Sequence, residues 1–307
     1  EFLAILQAPD PMGAYHEYLD QNRAVLTAYW KNYVLDLDSP HVEDIVARTV
    51  KANRTDLRLL LQTVDIEALA RETAARCVEV FEADIDFDVY VMVGVGAANA
   101  GELVVDGKGV AFVCLEHFTG RSNPETYGLG LHPDLIPLWL AHEIAHTVRY
   151  TSPTTKSDMA RIVAEANGNY DYWDSGSRAT LLELVVNEGL AVMGSQAVVP
   201  DRDACDYLGY GRRQYNRLRE LEAFLRNVMA ADFDRTGLGY RLRYLSGGMS
   251  PAARLVGGRV IPERAGYYLG ASLVESIVAE RGIAAALRAT AEECLEADAN
   301  AAEIQTA

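Results

Sequence analysis

The chain has few basic residues. Its 28 lysines and arginines stand against 44 acidic residues, which gives a formal net charge of −16 over 307 residues. This acidity argues against nucleic acid or an anionic membrane surface as a partner. No apolar run approaches the roughly 18 residues of a membrane span, and with 50% hydrophobic residues the chain is long enough for a large globular core.

Cysteine is also scarce. The four cysteines lie far apart and form no Cys-x-x-Cys pair. Reduced, mostly buried thiols in a cytoplasmic protein are expected, with secretion and two long-range disulfides as the alternative. The segment 1–7 lacks the basic region and long apolar stretch of a signal peptide, in agreement with a cytoplasmic location.

Histidine occurs only six times, yet two histidines form one motif, His142-Glu143-Ile144-Ala145-His146. Residues four apart lie on the same face of a helix, so both imidazoles can bind one metal ion. Glu143 is rotated by about 100° from His142, and its carboxylate can reach a water on the metal. The spacing is that of zinc metallopeptidases and predicts Zn²⁺ as cofactor.

The surrounding segment 135–149 predicts a buried helix that holds these side chains rigidly. Asp134 is the predicted N-cap, and Pro137 falls in the first turn, where its missing N–H costs little. The helix should end near Ser152, because the residue before a proline avoids the α region.

A catalytic zinc site needs a third protein ligand, and two glutamates of the next predicted helix compete for this position. Thr180-x-x-Glu183 is a capping box, which gives Glu183 a structural role. Glu188 lies among Leu184, Val185 and other apolar residues, where an unpaired carboxylate is costly and a cation would compensate it. Glu188 is therefore favoured over Glu183, and Gly189 beside it predicts close approach of another backbone.

Around this pair of helices the chain reads as an α+β, mostly helical fold with a small mixed sheet. Helical periodicity marks 15–33, 41–61 and 66–82, the last capped by Asp65, and two β-rich runs follow at 88–95 and 109–115. Turn residues lie between them at 99–101 and 106–107, and 110–115 is predicted to be an edge strand that pairs with a substrate backbone. The segment 151–177 reads as a loop or short-helix insertion beside the site.

Three regions are expected from this pattern. They are an N-terminal helical region over 1–84, a catalytic zincin-like core over 85–200, and a C-terminal helical region over 201–307 that contributes to the cleft.

The motif at 142–146, followed by Asn187-Glu188-Gly189-Leu190-Ala191, resembles the gluzincin metallopeptidases, in which a glutamate on a second helix is the third zinc ligand. Within that group, Leu131-His132-Pro133 and the later Gly266-Tyr267-Tyr268-Leu269-Gly270 are similar to a bacterial family of predicted zinc-dependent proteases. The resemblance covers roughly residues 85–280. Those enzymes often place an acid one turn after the glutamate to orient a zinc histidine; here that residue is Val192, so the orienting group is not identified.

The resemblance implies that Tyr267 points into the cleft and donates a hydrogen bond to the developing oxyanion, with Tyr268 as the second candidate and a core tyrosine as the alternative. Arg264 is a candidate for binding a substrate carboxylate. The expected function is hydrolysis of peptide bonds in a peptide or protein substrate, by a zinc-bound water that Glu143 activates. Two alternatives remain: a catalytically silent zinc-binding regulatory protein, and a zinc hydrolase acting on a non-peptide amide or ester.

Overall fold

The computed structural model describes residues 1–126 and 130–306. The chain begins with six helices. The predicted helix over 15–33 is two helices that meet at Asn22, whose side chain donates to the Tyr18 carbonyl. The predicted segment 41–61 is also divided, because Ala52 is extended. Asp65 caps the sixth helix as predicted, accepting a hydrogen bond from the Ala68 N–H. The helices are α1 (Phe2–Ile5), α2 (Pro11–Gln21), α3 (Arg23–Tyr33), α4 (Val42–Lys51), α5 (Thr55–Thr63) and α6 (Ile66–Val80).

A three-stranded mixed sheet follows, with strands β1 (Phe87–Met92), β2 (Ala100–Val105) and β3 (Lys108–Cys114) in the order β1-β3-β2. β1 runs parallel to β3, and β2 runs antiparallel to it. The predicted turn at Asp106-Gly107 is confirmed as a two-residue hairpin connection in which both residues have positive φ.

The sequence did not predict β2, because Gly101 and its neighbours read as a turn. In the sheet this glycine has a packing role: a Cβ there would lie 2.6 Å from the Tyr33 hydroxyl and 2.5 Å from the Phe112 ring. The prediction that 110–115 is a substrate-pairing edge strand is wrong. β3 is the central strand, and its backbone is paired on both sides by β1 and β2.

The helix with the histidine pair, α7 (Ile136–Thr151), packs against the sheet and is buried along its length except at Pro137 and Thr151. The predicted N-cap at Asp134 is wrong. A 3₁₀ turn over Pro133–Leu135 precedes the helix, and the His132 side chain accepts from the Asp134 N–H there. The position of Pro137 in the first turn is confirmed, and so is the end of the helix before the extended Ser152.

The insertion over 151–177 contains two short helices, α8 (Asp158–Glu165) and α9 (Tyr172–Arg178). Its middle runs along the outer edge of β2, where the Tyr170 N–H donates to the Val104 carbonyl. The insertion therefore covers one edge of the sheet.

The remaining helices complete the core around α7. The helix Leu181–Val198 contacts both α7 and the helix Ala265–Ala286, and the predicted close approach at Gly189 is confirmed. A Cβ on Gly189 would lie 2.2 Å from the backbone of Gly270, and one on Gly270 would lie 2.1 Å from the Val185 carbonyl oxygen. The elements are α10 (Leu181–Val198), α11 (Ala204–Leu208), α12 (Arg212–Ala230), α13 (Leu238–Leu245), β4 (Leu255–Val256), β5 (Arg259–Val260), α14 (Ala265–Ala286) and α15 (Ala291–Thr306).

The described residues are 62% helical with a small mixed sheet, so the predicted α+β, mostly helical class is confirmed. Among the described residues, α10 alone has the length and mean hydropathy of a membrane span, but 78% of it is buried inside the molecule. Packing between α7 and α14 explains its apolar composition. All four cysteines are free and three are buried, as predicted, so the alternative of two disulfides is wrong.

Candidate metal centre

The two histidines of α7 lie one turn apart and face Glu188 of α10. The Nε2 atom of His142 is 3.3 Å from the Oε2 atom of Glu188, and the Nε2 atom of His146 is 3.6 Å from the same oxygen. Both imidazoles are buried, and the Glu188 side chain is 13% exposed. The structure thus brings together the three side chains that the sequence predicted as metal ligands.

These distances fit a shared ion. Zn²⁺ binds nitrogen and carboxylate oxygen at about 2.0–2.2 Å, so two ligand atoms at tetrahedral angles lie about 3.3–3.6 Å apart. A charged hydrogen bond between imidazole and carboxylate would be about 2.7–2.9 Å long. Both observed separations are longer than such a charged hydrogen bond and match the edge of a zinc tetrahedron. Two imidazoles and one carboxylate are also a typical donor set for zinc.

The two imidazoles and the Glu188 carboxylate shift one another's pKa values. Burial alone would raise the pKa of Glu188, but the imidazoles of His142 and His146 hold it below its usual value. Burial lowers the pKa of His142. At His146 burial acts in the same direction, but Glu188, Glu102 and Glu143 outweigh it and raise the pKa to about 9. A bound cation would stabilise the ionised Glu188 carboxylate and compete with protons for the imidazoles.

Glu183, the competing ligand candidate, has a different set of partners. Both of its carboxylate oxygens lie 3.0 Å from Nη2 of Arg149, and its N–H donates to the Thr180 hydroxyl as the capping box predicted. Arg149 is fully buried, and its Nη1 donates to the carbonyls of Leu287 and Ala289. Glu183 therefore neutralises a buried guanidinium that joins α7 to the chain between α14 and α15.

Glu183→Gln is expected to destabilise the protein without removing the metal. Loss of one partner of a buried ion pair costs about 3–5 kcal/mol, because the remaining charge stays buried. Urea unfolding in the presence of a chelator would measure this loss. The matched variant, Glu188→Gln, should bind zinc weakly, because it removes a proposed ligand. Loss of zinc in Glu183→Gln, with zinc retained in Glu188→Gln, would reverse the two assignments.

Glu143, the predicted base, is buried on the inner side of α7, close to a second carboxylate that the sequence reasoning missed. Ligand atoms of Glu102, Glu143 and His146 all lie within 4.8 Å of one another. The Glu102 carboxylate is 3.2 Å from the Tyr150 hydroxyl and 3.3 Å from the Tyr33 hydroxyl. Burial, reinforced by Glu102, raises the pKa of Glu143 well above its usual value.

The candidate tyrosines have separate environments. The Tyr267 ring stacks on the His142 imidazole, with centroids 6.0 Å apart and an interplanar angle of 12°. Tyr268 is turned away, and its hydroxyl donates to Glu222 over 2.7 Å. Of the two, the structure brings only Tyr267 to the histidine pair.

The orienting partners of the imidazoles remain unidentified. The Nδ1 atoms of His142 and His146 are buried, and neither has a hydrogen-bond partner in the part of the chain that the structure describes. Val192, which stands one turn after Glu188, is buried and offers no acidic group to the imidazoles. Asn187, beside Glu188, donates to the Tyr150 hydroxyl over 2.6 Å, and its Oδ1 is also buried without a partner within the described ranges.

Sequence comparison adds a family similarity. No curated protein and no solved structure matches the chain. Residues 165–296 match the model of a family described as "Predicted Zn-dependent protease (DUF2268)". The matched segment is 132 residues long (296 − 165 + 1), less than half of the 307, and it includes Glu188 and Tyr267 but not the histidine motif at 142–146. The C-terminal part of the chain is therefore similar to a family of predicted zinc-dependent proteases.

Proposed function

We propose that this protein is a zinc-dependent peptidase. The observation that carries the proposal is the convergence of His142 Nε2, His146 Nε2 and Glu188 Oε2 at separations of 3.3 and 3.6 Å. The family similarity agrees with it independently, since the matched residues contribute the glutamate and the histidines lie outside the match.

His142, His146 and Glu188 would hold the ion. A zinc ion bound by two neutral imidazoles and one carboxylate supplies Lewis acidity and lowers the pKa of water. Glu143 is then the group that takes a proton from the attacking water and returns it to the leaving amine. Support for this role comes from the position of Glu143, whose carboxylate lies within 4.8 Å of a ring nitrogen of His146.

Tyr267 is proposed to donate its hydroxyl hydrogen to the oxygen on which negative charge develops. Support comes from its stacking on His142, which places the phenol beside the histidine pair. Burial raises the pKa of Tyr267 well above its usual value, so the hydroxyl stays protonated as this role requires.

The direct test combines elemental analysis with a peptide library. One zinc per chain and cleavage that a chelator abolishes and added Zn²⁺ restores are the expected results. Zinc at one per chain without cleavage of any peptide would instead support the silent zinc-binding alternative. Cleavage of esters or non-peptide amides alone would support the third alternative, and a chain without zinc would refute the proposal.

A further inference from the structure

Arg264 has an unusual backbone conformation for its residue type. It immediately precedes α14 and adopts φ 55° and ψ 29°, the left-handed region that side chains with a Cβ avoid. Non-glycine residues stay in this region only where the surrounding structure holds them, and such residues cluster at functional sites. The Tyr210 hydroxyl donates to the Arg264 carbonyl oxygen and helps to fix the conformation.

Three aromatic rings enclose the Arg264 guanidinium. Its central carbon lies 4.1 Å from the ring centroid of Tyr267, 5.5 Å from that of Trp139 and 6.0 Å from that of Tyr210. Gly209 packs against the same group, and a Cβ there would lie 2.9 Å from Arg264 Nη1 and 2.8 Å from the Trp139 ring. The cage fixes the position of the charge.

The cage adjoins the candidate metal centre. Two of its rings also contact the His142 imidazole: Trp139 with centroids 5.7 Å apart and Tyr267 at 6.0 Å. The guanidinium therefore shares two aromatic neighbours, Trp139 and Tyr267, with a proposed zinc ligand.

Arg264, which is partly buried, differs in its partners from the three buried arginines. Arg149 is paired with Glu183, Arg54 lies 3.5 Å from Asp56, and Arg241 donates to the Tyr172 carbonyl and the Tyr170 hydroxyl. Within 1–126 and 130–306, no carboxylate lies within 4.0 Å of Arg264. A guanidinium without a carboxylate partner among the described residues is unusual in a chain with a net charge of −16. The planar guanidinium has five N–H donors, so with Tyr267 as a neighbour it can still present a pair of them to a planar carboxylate.

We propose that Arg264 binds a carboxylate of the substrate beside the scissile bond, either the free α-carboxylate of a peptide C-terminus or an acidic side chain. This inference rests on the proposed peptidase function and specifies its substrate class. Arg264 would position the substrate by a two-pronged ion pair, and the Tyr267 ring contacts both the guanidinium and the His142 imidazole.

The test uses three matched peptide sets and measures kcat/KM for each. The first set has free C-termini and no acidic residues, the second has the same sequences as C-terminal amides, and the third has amides with one Asp or Glu. A charge-assisted hydrogen bond corresponds to a factor of about 10–150, so we expect a preference of that size for one carboxylate-bearing set. Preference for the first set assigns the α-carboxylate, and preference for the third assigns an acidic side chain.

Variants separate positioning from folding. Arg264→Gln should reduce the ratio between the preferred set and the plain amides towards one, mainly through KM, and Arg264→Lys should retain part of it. A structural role alone would lower kcat/KM for all sets equally and leave the ratio unchanged. The control is Arg219→Gln, an exposed arginine 6.0 Å from the Tyr215 ring, which should keep the wild-type ratio.

The outcomes distinguish this inference from the proposed function. Equal cleavage of all three sets by the wild type would overturn the role of Arg264 and leave the peptidase intact. If no set is cleaved, the proposed function fails. Calorimetry with the chelated protein then tests whether Arg264 binds a carboxylate. The probes are an N-acetylated dipeptide with a free C-terminus, its carboxamide, and the same carboxamide with one Asp. Tighter binding of either carboxylate probe than of the plain amide supports the site, and equal binding of all three overturns it.

Discussion

Glu143→Gln is expected to keep its zinc and lose almost all peptidase activity. The substitution preserves the shape of the side chain but removes the group that accepts a proton. Proton transfer by a positioned side chain contributes about 10²–10⁴-fold to a rate, so kcat should fall by about 10³-fold. The measurement is kcat with a cleaved peptide, alongside zinc content by elemental analysis.

The matched control for Glu143→Gln is Glu102→Gln. Glu102 is the neighbouring buried carboxylate, bound by the hydroxyls of Tyr33 and Tyr150. If Glu143 is the base, removing the charge of Glu102 should reduce kcat much less than removing that of Glu143. Full activity of Glu143→Gln with zinc in place would contradict the assignment. A larger loss in Glu102→Gln would transfer the role of base to Glu102.

The parts of the site that the sequence predicted follow from local rules. Spacing on one helix places His142 and His146 on a common face, and the structure shows both facing Glu188. The apolar neighbours of Glu188 made its burial predictable. The lack of a Cβ at Gly189 made the close approach of a second backbone predictable. These inferences need only one helix at a time.

The parts that the sequence did not predict depend on contacts between distant segments. Strand order decided that the segment over 110–115 is central, and no local pattern contains that information. Glu102 was missed because it lies on β2, which was not predicted as a strand since Gly101 and its neighbours resemble a turn. Its isolated charge before Leu103-Val104-Val105 was the available signal. The capping prediction at Asp134 failed because His132 begins a 3₁₀ turn two residues earlier.

The partner of Arg149 is another contact that the sequence could not predict. A charged residue at the end of a buried helix requires a partner, but the sequence does not say which acid supplies it. The capping box predicted a structural role for Glu183, whereas the bond to Arg149 became visible only in three dimensions. The division into regions 1–84, 85–200 and 201–307 stays a prediction, as do the cytoplasmic location and the absence of nucleic-acid and membrane partners.

His146→Ala is expected to abolish both zinc binding and activity, because it removes one of three ligands. Loss of an outer hydrogen-bond partner already costs about 10–100-fold in metal affinity, and loss of a ligand should cost more. Competition against a chromophoric chelator would measure the affinity. His132→Ala is the matched control: its side chain is 68% exposed next to the start of α7, and zinc content should be unchanged. Wild-type zinc affinity in His146→Ala would show that the ion is held elsewhere. The proposed peptidase mechanism would then lose its basis, since the same three side chains define where Glu143 and Tyr267 act.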